Sequence, residues 1–306
     1  MPLFSNISGK FQEIQDVPVK YERDLQELTE NNLESIFGLE FVKSEFELDG
    51  LRIDTLAFDR DNKSFVLIEF KRDTNYSVID QGFAYLNLML NKKADFILEF
   101  NERKNENLKR DDIDWSQSKV IFISPSFTTY QLKAMNFKDL PIELWNVTQY
   151  QNNLIHYEQL KPSEHSESIK TVSRKSEIVE RVSKEIQVYT ENDHFSDVNA
   201  TEITRELYER LKEGILRLGE NITIKPGKIY IGYKARTNFC DIEVQKSKLT
   251  LFLNLEKGQL DDPKGIAKDV SNKGHHGNGD YLIHFSDISQ LNYILDLIQQ
   301  SYEKNH

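Results

Sequence analysis

The chain has 306 residues, of which 38% are hydrophobic, 11% aromatic and 29% charged. That is length for about two domains, with a core that needs no disulfide or metal to hold it. Its 39 basic and 50 acidic residues leave a net charge of −11, which argues against a protein that coats nucleic acid or an anionic membrane, but not against a cleft that handles DNA through metal ions.

No apolar run approaches the ~18–20 residues that span a bilayer. The first residues carry neither a basic n-region nor an apolar h-region, so no secretion is expected. Cys240 is the single cysteine, which rules out a disulfide framework and a thiolate zinc site. These absences together point to a cytoplasmic protein with no membrane partner.

In chain order, residues 21–37 place Leu25, Leu28, Leu33 and Ile36 at near-helical spacing and predict one amphipathic helix. Residues 41–48 and 51–58 alternate as two strands joined by Asp49-Gly50, a two-residue hairpin signal. A third strand, 64–70, is almost wholly apolar, and residues 76–90 return to a helical period. Strands are expected at 94–100, 119–124 and 141–147, with a helix at 129–135. Residues 161–177 are Ser-rich and charged and read as the start of a linker or exposed helix, followed by a bridging helix. The second half opens on a helix at 201–218 with Thr201 as N-cap. Strands follow at 228–235, 239–245 and 248–255, then a polar loop at 257–280, a strand at 281–285 and a closing helix at 287–303. The chain therefore divides into a mixed α/β domain over 1–160, a linker or bridging helix over 161–200, and a smaller α+β domain over 201–306. Net charge is −9, −2 and zero over these three stretches.

The informative residues lie in the first half. Asp54 is on the second hairpin strand, and Glu69 and Lys71, two apart on the third, face the same side of the sheet. Neighbouring strands can bring both carboxylates to one edge as an oxygen-only site suited to Mg²⁺ or Mn²⁺. A lysine beside that metal can orient or deprotonate water and offset charge developing on a phosphate. Gln81 and Tyr85, four apart, share one helix face.

This pattern resembles the PD-(D/E)xK nuclease superfamily: D-x(14)-E-x-K on a hairpin and the strand after it, behind an acidic helix, with Ile53 where the nominal motif has proline. Gln81-Gly-Phe-Ala-Tyr85 is similar to the Q-x-x-x-Y motif of the RecB-like branch, and NucS-like families are the nearest relatives suggested. The resemblance covers residues 18–150. It implies a restriction-endonuclease-like fold, a mixed central sheet flanked by helices. It also implies a metal held by Asp54 and Glu69, with Lys71 assisting water and Gln81 and Tyr85 contacting DNA backbone or supporting the lysine. A further acid comes from the first helix, best matched by Glu22, with Glu30 and Glu34 poorer. Superfamily members often work as dimers.

The second half resembles an uncharacterised C-terminal domain of the DUF5655 type, sometimes carrying the label "predicted transport protein"; with no membrane segment, nothing in the sequence supports transport. Asp262, Asp269, Ser271 and the run Gly274-His-His-Gly-Asn-Gly-Asp280 could hold a metal or a phosphate, with a structured turn favoured. Lys225, Lys228, Lys234 and Arg236, interleaved with Tyr230, Tyr233 and Phe239, fit a nucleic-acid face and sheet packing equally.

The leading expectation is a Mg²⁺-dependent deoxyribonuclease that engages DNA in a local groove, with the second domain supplying recognition, an oligomer contact or regulation. The alternatives are a non-catalytic nucleic-acid-binding module that keeps the fold, and an interaction protein whose acidic surface recognises a basic partner.

Overall fold

The computed structural model describes residues 2–19, 21–72, 77–137, 139–163, 166–169, 176–272 and 277–306. The chain forms two compact units, Met1–Gln187 and Val188–His306.

The first unit begins with a two-stranded antiparallel hairpin, β1 (Leu3–Ile7) and β2 (Lys10–Ile14). Ser8 and Gly9 turn it with positive φ, the backbone that matches strand twist in a two-residue turn. After β3 (Asp16–Val17) come α1 (Glu22–Glu30) and α2 (Leu33–Phe37). One helix was expected here. The chain instead breaks at Asn31-Asn32, a pair of poor helix formers, and Gly38 closes α2 in the left-handed region.

A meander follows: β4 (Glu40–Leu48), β5 (Leu51–Asp59) and β6 (Ser64–Phe70). Asp49 and Gly50 both have positive φ, the turn the Asp-Gly pair predicts. Two helices come next, α3 (Val78–Asn91) and α4 (Lys93–Lys104). Residues 94–100, expected as a strand, lie in α4. Phe96 and Phe100, one helical turn apart, are both fully buried and pack edge-on or tilted against Phe46, Phe58 and Phe65. The helical period of that pair overrides the strand propensity of the run.

The unit closes with β7 (Lys119–Ser124), α5 (Thr129–Ala134), β8 (Ile142–Tyr150), β9 (Leu154–Leu160) and α6 (Glu177–Glu185). The sheet order is β3-β8-β7-β6-β5-β4, with β9 also on β8. Pairing is antiparallel through β4, β5 and β6, parallel from β6 to β7 and from β7 to β8, and antiparallel to β9. Helices cover both faces of this mixed sheet. One core joins Leu56, Phe65, Leu67 and Phe122 to α3 and α4 residues such as Leu86 and Phe96. The other joins Leu25 and Leu33 to Ala57, Val66, Ile68 and Ile121. Every residue of β6 is buried, so a polar side chain on that strand must find partners inside the protein.

The second unit contains α7 (Glu191–Asp197) and α8 (Glu202–Leu216), with Thr201 capping α8 through Thr204 N–H. Six strands follow: β10 (Thr223–Pro226), β11 (Ile231–Lys234), β12 (Asn238–Val244), β13 (Leu249–Leu253), β14 (Lys268–Asp269) and β15 (Tyr281–Phe285). The last helix is α9 (Leu291–Asn305). The sheet order is β10-β11-β12-β13-β15-β14, all antiparallel. Tyr208, Leu211, Ile294 and Ile298 of the helices share one core with Tyr233, Ile242, Leu251 and Ile283 of the strands, an α+β arrangement.

The stretch 161–200 is divided between the units: Val182 and Ile186 belong to the first core and Phe195 to the second. No helix among the described residues is long and apolar enough to cross a membrane.

Candidate active site

Asp54 sits where β5 parts from β6 and where its ladder with β4 skips one pair. Its pairing with β6 ends at Thr55–Ile68. Towards β4 the register passes from Ser44–Thr55 to Phe46–Ile53, and Glu45 between them is left-handed, with φ 52°. In that opening Phe70 N–H donates to Asp54 Oδ2 at 2.9 Å. The other carboxylate oxygen accepts no hydrogen bond among the described residues. Asp54 is buried. Burial, and next the charge of Glu69, push its carboxyl up to about 7, against the pull of the Phe70 amide and Lys71.

Glu69 is buried near the end of β6 and holds three donors. Lys71 Nζ and Gln81 Nε2 reach Oε1 at 2.7 and 2.8 Å, and the Tyr85 hydroxyl reaches Oε2 at 3.0 Å. Gln81 Nε2 is also 2.8 Å from the Tyr85 oxygen, and that hydroxyl lies 2.7 Å from Arg52 O. Burial and the Glu69 charge hold the phenol protonated, well above its ordinary range, so it stays a donor. Lys71 is fixed at the strand end by its own N–H, which donates to Ile123 O of β7.

The structure thus brings together Asp54, Glu69, Lys71, Gln81 and Tyr85. Gln81 and Tyr85 act on the acid of the third strand, their contact here being Glu69. Glu22 is exposed, and its Oε2 accepts Arg72 N–H at 2.9 Å. It therefore reaches the end of β6 beyond Lys71 rather than the two carboxylates. The stripe of α1 that faces the sheet is Leu25, Gln26 and Thr29, while Leu28, expected inward, is 40% exposed. Glu30 is tied to Thr55, whose hydroxyl donates to it at 2.5 Å, and Glu34 is exposed. Two contributors carry no mark in the sequence reading. Glu45 adds a like charge beside Asp54 and is ion-paired to Arg52 at 2.9 Å, and Gln26 donates to Asp54 O at 2.9 Å.

Asp54 and Glu69 offer hard oxygen donors, and Asp54 keeps one oxygen uncommitted in a place where its charge is disfavoured. A divalent cation fits such a pair, with water and a substrate phosphate completing its shell. Among the described residues no group of three or more His, Cys, Asp or Glu comes together in a way that could hold a metal ion.

The residues singled out in the second unit have structural partners. Asp262 accepts Ala267 N–H and the Tyr293 hydroxyl. Asp269 accepts Ser271 and pairs with Lys257. Gly274, His275 and His276 lie outside the described residues. Of the remainder of that run, Asn278 N–H donates to Asp241 and Asp280 accepts Lys257 N–H. Tyr233 and Phe239 are fully buried in the core and Lys234 is buried as well, so sheet packing accounts for the aromatic interleaving.

The fold and its buried groups define a two-unit protein: a mixed sheet between helices that carries an acid–lysine cluster, and a smaller α+β unit. A protein of Haemophilus influenzae, itself uncharacterised, is 48% identical over 301 residues, covering 98% of this chain and 99% of its own length. The chain belongs to the family that protein represents. The family model of a domain of unknown function, DUF5655, matches residues 191–305. Solved structures share weaker likeness. A repair endonuclease from Pyrococcus abyssi is 18% identical, with a TM-score of 0.24 over 40% of this chain and 45% of its own. EndoMS in its apo form is 20% identical, with a TM-score of 0.26 over 38% and 42%. SfsA of Pyrococcus furiosus in complex with Ca²⁺ is 13% identical, with a TM-score of 0.24 over 51% and 79%. The chain spans less than half of the first two structures.

Proposed function

We propose that this protein is a Mg²⁺- or Mn²⁺-dependent deoxyribonuclease whose site is Asp54, Glu69 and Lys71, supported by Gln81 and Tyr85. The observation that carries the reading is the ion pair between Lys71 Nζ and a buried Glu69 at 2.7 Å, with the disfavoured charge of Asp54 beside it. A strand buried along its whole length gains nothing in stability from an acid and a lysine, because desolvating the pair costs about what its attraction returns. Such a cluster is understandable as chemistry.

Asp54 and Glu69 would hold the cation, which when bound lowers the pKa of water and neutralises a scissile phosphate. Lys71, with its ammonium at the strand end, would orient the attacking water and offset charge building on the phosphate. Gln81 and Tyr85 keep the Glu69 carboxylate in one orientation through both of its oxygens. The −11 net charge of the chain makes binding of DNA weak without divalent cation, salt-sensitive and confined to a local groove. Glu22 would assist as a further acid near Arg72, and the second unit would supply recognition, an oligomer contact or regulation.

The test is cleavage of single-stranded, duplex and branched DNA, and of RNA, in Mg²⁺, Mn²⁺ or EDTA. Asp54→Asn and Lys71→Met proteins run alongside. Cleavage of DNA that needs the metal and is lost in both variants supports the reading. Cleavage that survives both variants sinks it. Binding without cleavage in either metal assigns the chain to the alternative, a nucleic-acid-binding module that keeps the fold.

A further inference from the structure

A single amide nitrogen lies at the centre of the opening in β5. Gln26, on the sheet-facing stripe of α1, is buried. Its Nε2 lies 2.9 Å from Asp54 O, 3.1 Å from Glu30 Oε1, 3.1 Å from Ser44 Oγ and 3.3 Å from Glu45 Oε1. Four acceptors thus converge on a group with two protons. Two of them are carboxylates, and one is the backbone carbonyl of the residue read above as a metal ligand. Thr55 Oγ1 adds a donor to Glu30 and Arg52 Nε adds one to the far oxygen of Glu45. Gln26 is the only described side-chain donor to Asp54 O.

The sheet explains why this donor is needed. Glu45 in the left-handed region interrupts the β4 side of the ladder opposite Asp54, and on the β6 side the partner of Phe70 N–H is the Asp54 side chain. Asp54 therefore receives a side-chain donor at its carbonyl and a backbone donor at its carboxylate. Two carboxylates facing each other without a donor between them would be unfavourable.

We propose that Gln26 is a positioning residue of the site: its amide stands where a cation would otherwise sit among Glu30, Ser44, Glu45 and Asp54 O, and so fixes the direction of the Asp54 carboxylate. The role as a positioner of a metal ligand rests on the reading of Asp54 given above, whereas the clamp on Asp54 does not.

Two substitutions in the full chain separate these levels. Gln26→Met keeps the length and removes the donor. Gln26→Glu keeps the shape and places a third acceptor beside two carboxylates. The first readout is metal-free amide exchange at Phe70, whose N–H is held by Asp54 Oδ2. It is expected to quicken about tenfold in Gln26→Met, the worth of one hydrogen bond, while the amides of Val66 and Leu67 stay unchanged. The second is Mg²⁺ affinity by calorimetry, expected to fall about tenfold in Gln26→Met and further in Gln26→Glu. In turnover, kcat falls with KM for DNA unchanged. Unchanged exchange at Phe70 in Gln26→Met overturns the clamp, as does tighter Mg²⁺ binding by Gln26→Glu, which would make the oxygen ring a cation site. If the unaltered protein binds no Mg²⁺, the nuclease reading fails while the exchange experiment still decides the clamp.

Discussion

Phe70 N–H donates to the carboxylate of Asp54, not to a strand carbonyl, at the point where β5 and β6 separate. The same carboxylate is pushed up to about 7 from an ordinary 3.8. The sign of the consequence is fixed. Between those values the folded protein binds the proton and the unfolded chain does not, so stability falls as pH rises. The contribution is whole below pH 4 and lost through pH 7, at most about 4 kcal/mol. Both tryptophans, Trp115 and Trp145, lie in the first unit, so urea unfolding followed by their fluorescence reports that unit. In EDTA the protein is expected to be more stable at pH 5 than at pH 8. Asp54→Asn should flatten that dependence, and Mg²⁺ should offset it in the unaltered protein. An equal slope in the variant would remove Asp54 as its source.

The helix that carries Gln81 is held close to the sheet by Gly82. A Cβ at that position would lie 2.6 Å from Ile142 Cδ1 and 3.1 Å from its Cγ1. Gly82→Ala gains helix propensity but must displace the buried Ile142 side chain or α3 itself, and overpacking of this kind costs about 1–3 kcal/mol. A shift of α3 would also draw Gln81 off Glu69, one residue away. Gly82→Ala is expected to lower both the urea midpoint and metal-dependent cleavage. Ile142→Val in the same chain removes Cδ1 and should restore most of each. Failure of that double variant to recover either quantity would place the constraint elsewhere.

What the sequence showed of this site follows from which determinants are local. Asp49-Gly50 states its own turn, and the spacing from Asp54 to Glu69 and Lys71 then follows from strand period alone. Gln81 and Tyr85 were legible because a four-residue step on a helix reaches one point, and that point is Glu69. Residues 94–100 read as a strand in the sequence because Phe96 and Phe100 satisfy both an apolar strand and a helix face, and only their partners Phe46 and Phe65 decide. Gln26 and Glu45 were invisible for a different reason. A left-handed glutamate carries no mark in the sequence, and the donor that answers it comes from a helix 28 residues before Asp54.

Tyr85 tests how much of the site is held by its buttress. Its hydroxyl is shared between Glu69 Oε2 and Arg52 O, and receives Gln81 Nε2. Tyr85→Phe fills the same space but removes the one proton that Arg52 O and Glu69 Oε2 share, a loss of about 1–3 kcal/mol. Lys71 and Gln81 remain on the other oxygen, so Glu69 keeps its partners but not its orientation. Cleavage should fall more steeply than stability, with Mg²⁺ affinity reduced. A variant with unaltered unfolding, Mg²⁺ binding and turnover would show that Tyr85 only fills space.

The second unit has its own point of failure, remote in sequence from the acid–lysine cluster of the first. Gly279, at φ +82°, packs so closely that a Cβ would collide with Leu253 O and Asn254 Cα, both backbone atoms. The neighbouring Asn278 N–H and Asp280 carboxylate anchor this turn to Asp241 and Lys257. Neither strain nor collision can be relieved by a side-chain rotation. Gly279→Ala is therefore expected to destabilise the second unit by about 2 kcal/mol or more. Tryptophan fluorescence reports only the first unit and should keep its urea midpoint, while far-UV circular dichroism resolves an earlier transition from the second. If both signals move together by the same amount, the two units unfold as one cooperative body; if neither moves, the turn at Gly279 tolerates a side chain and the backbone contact with Leu253 is not the constraint.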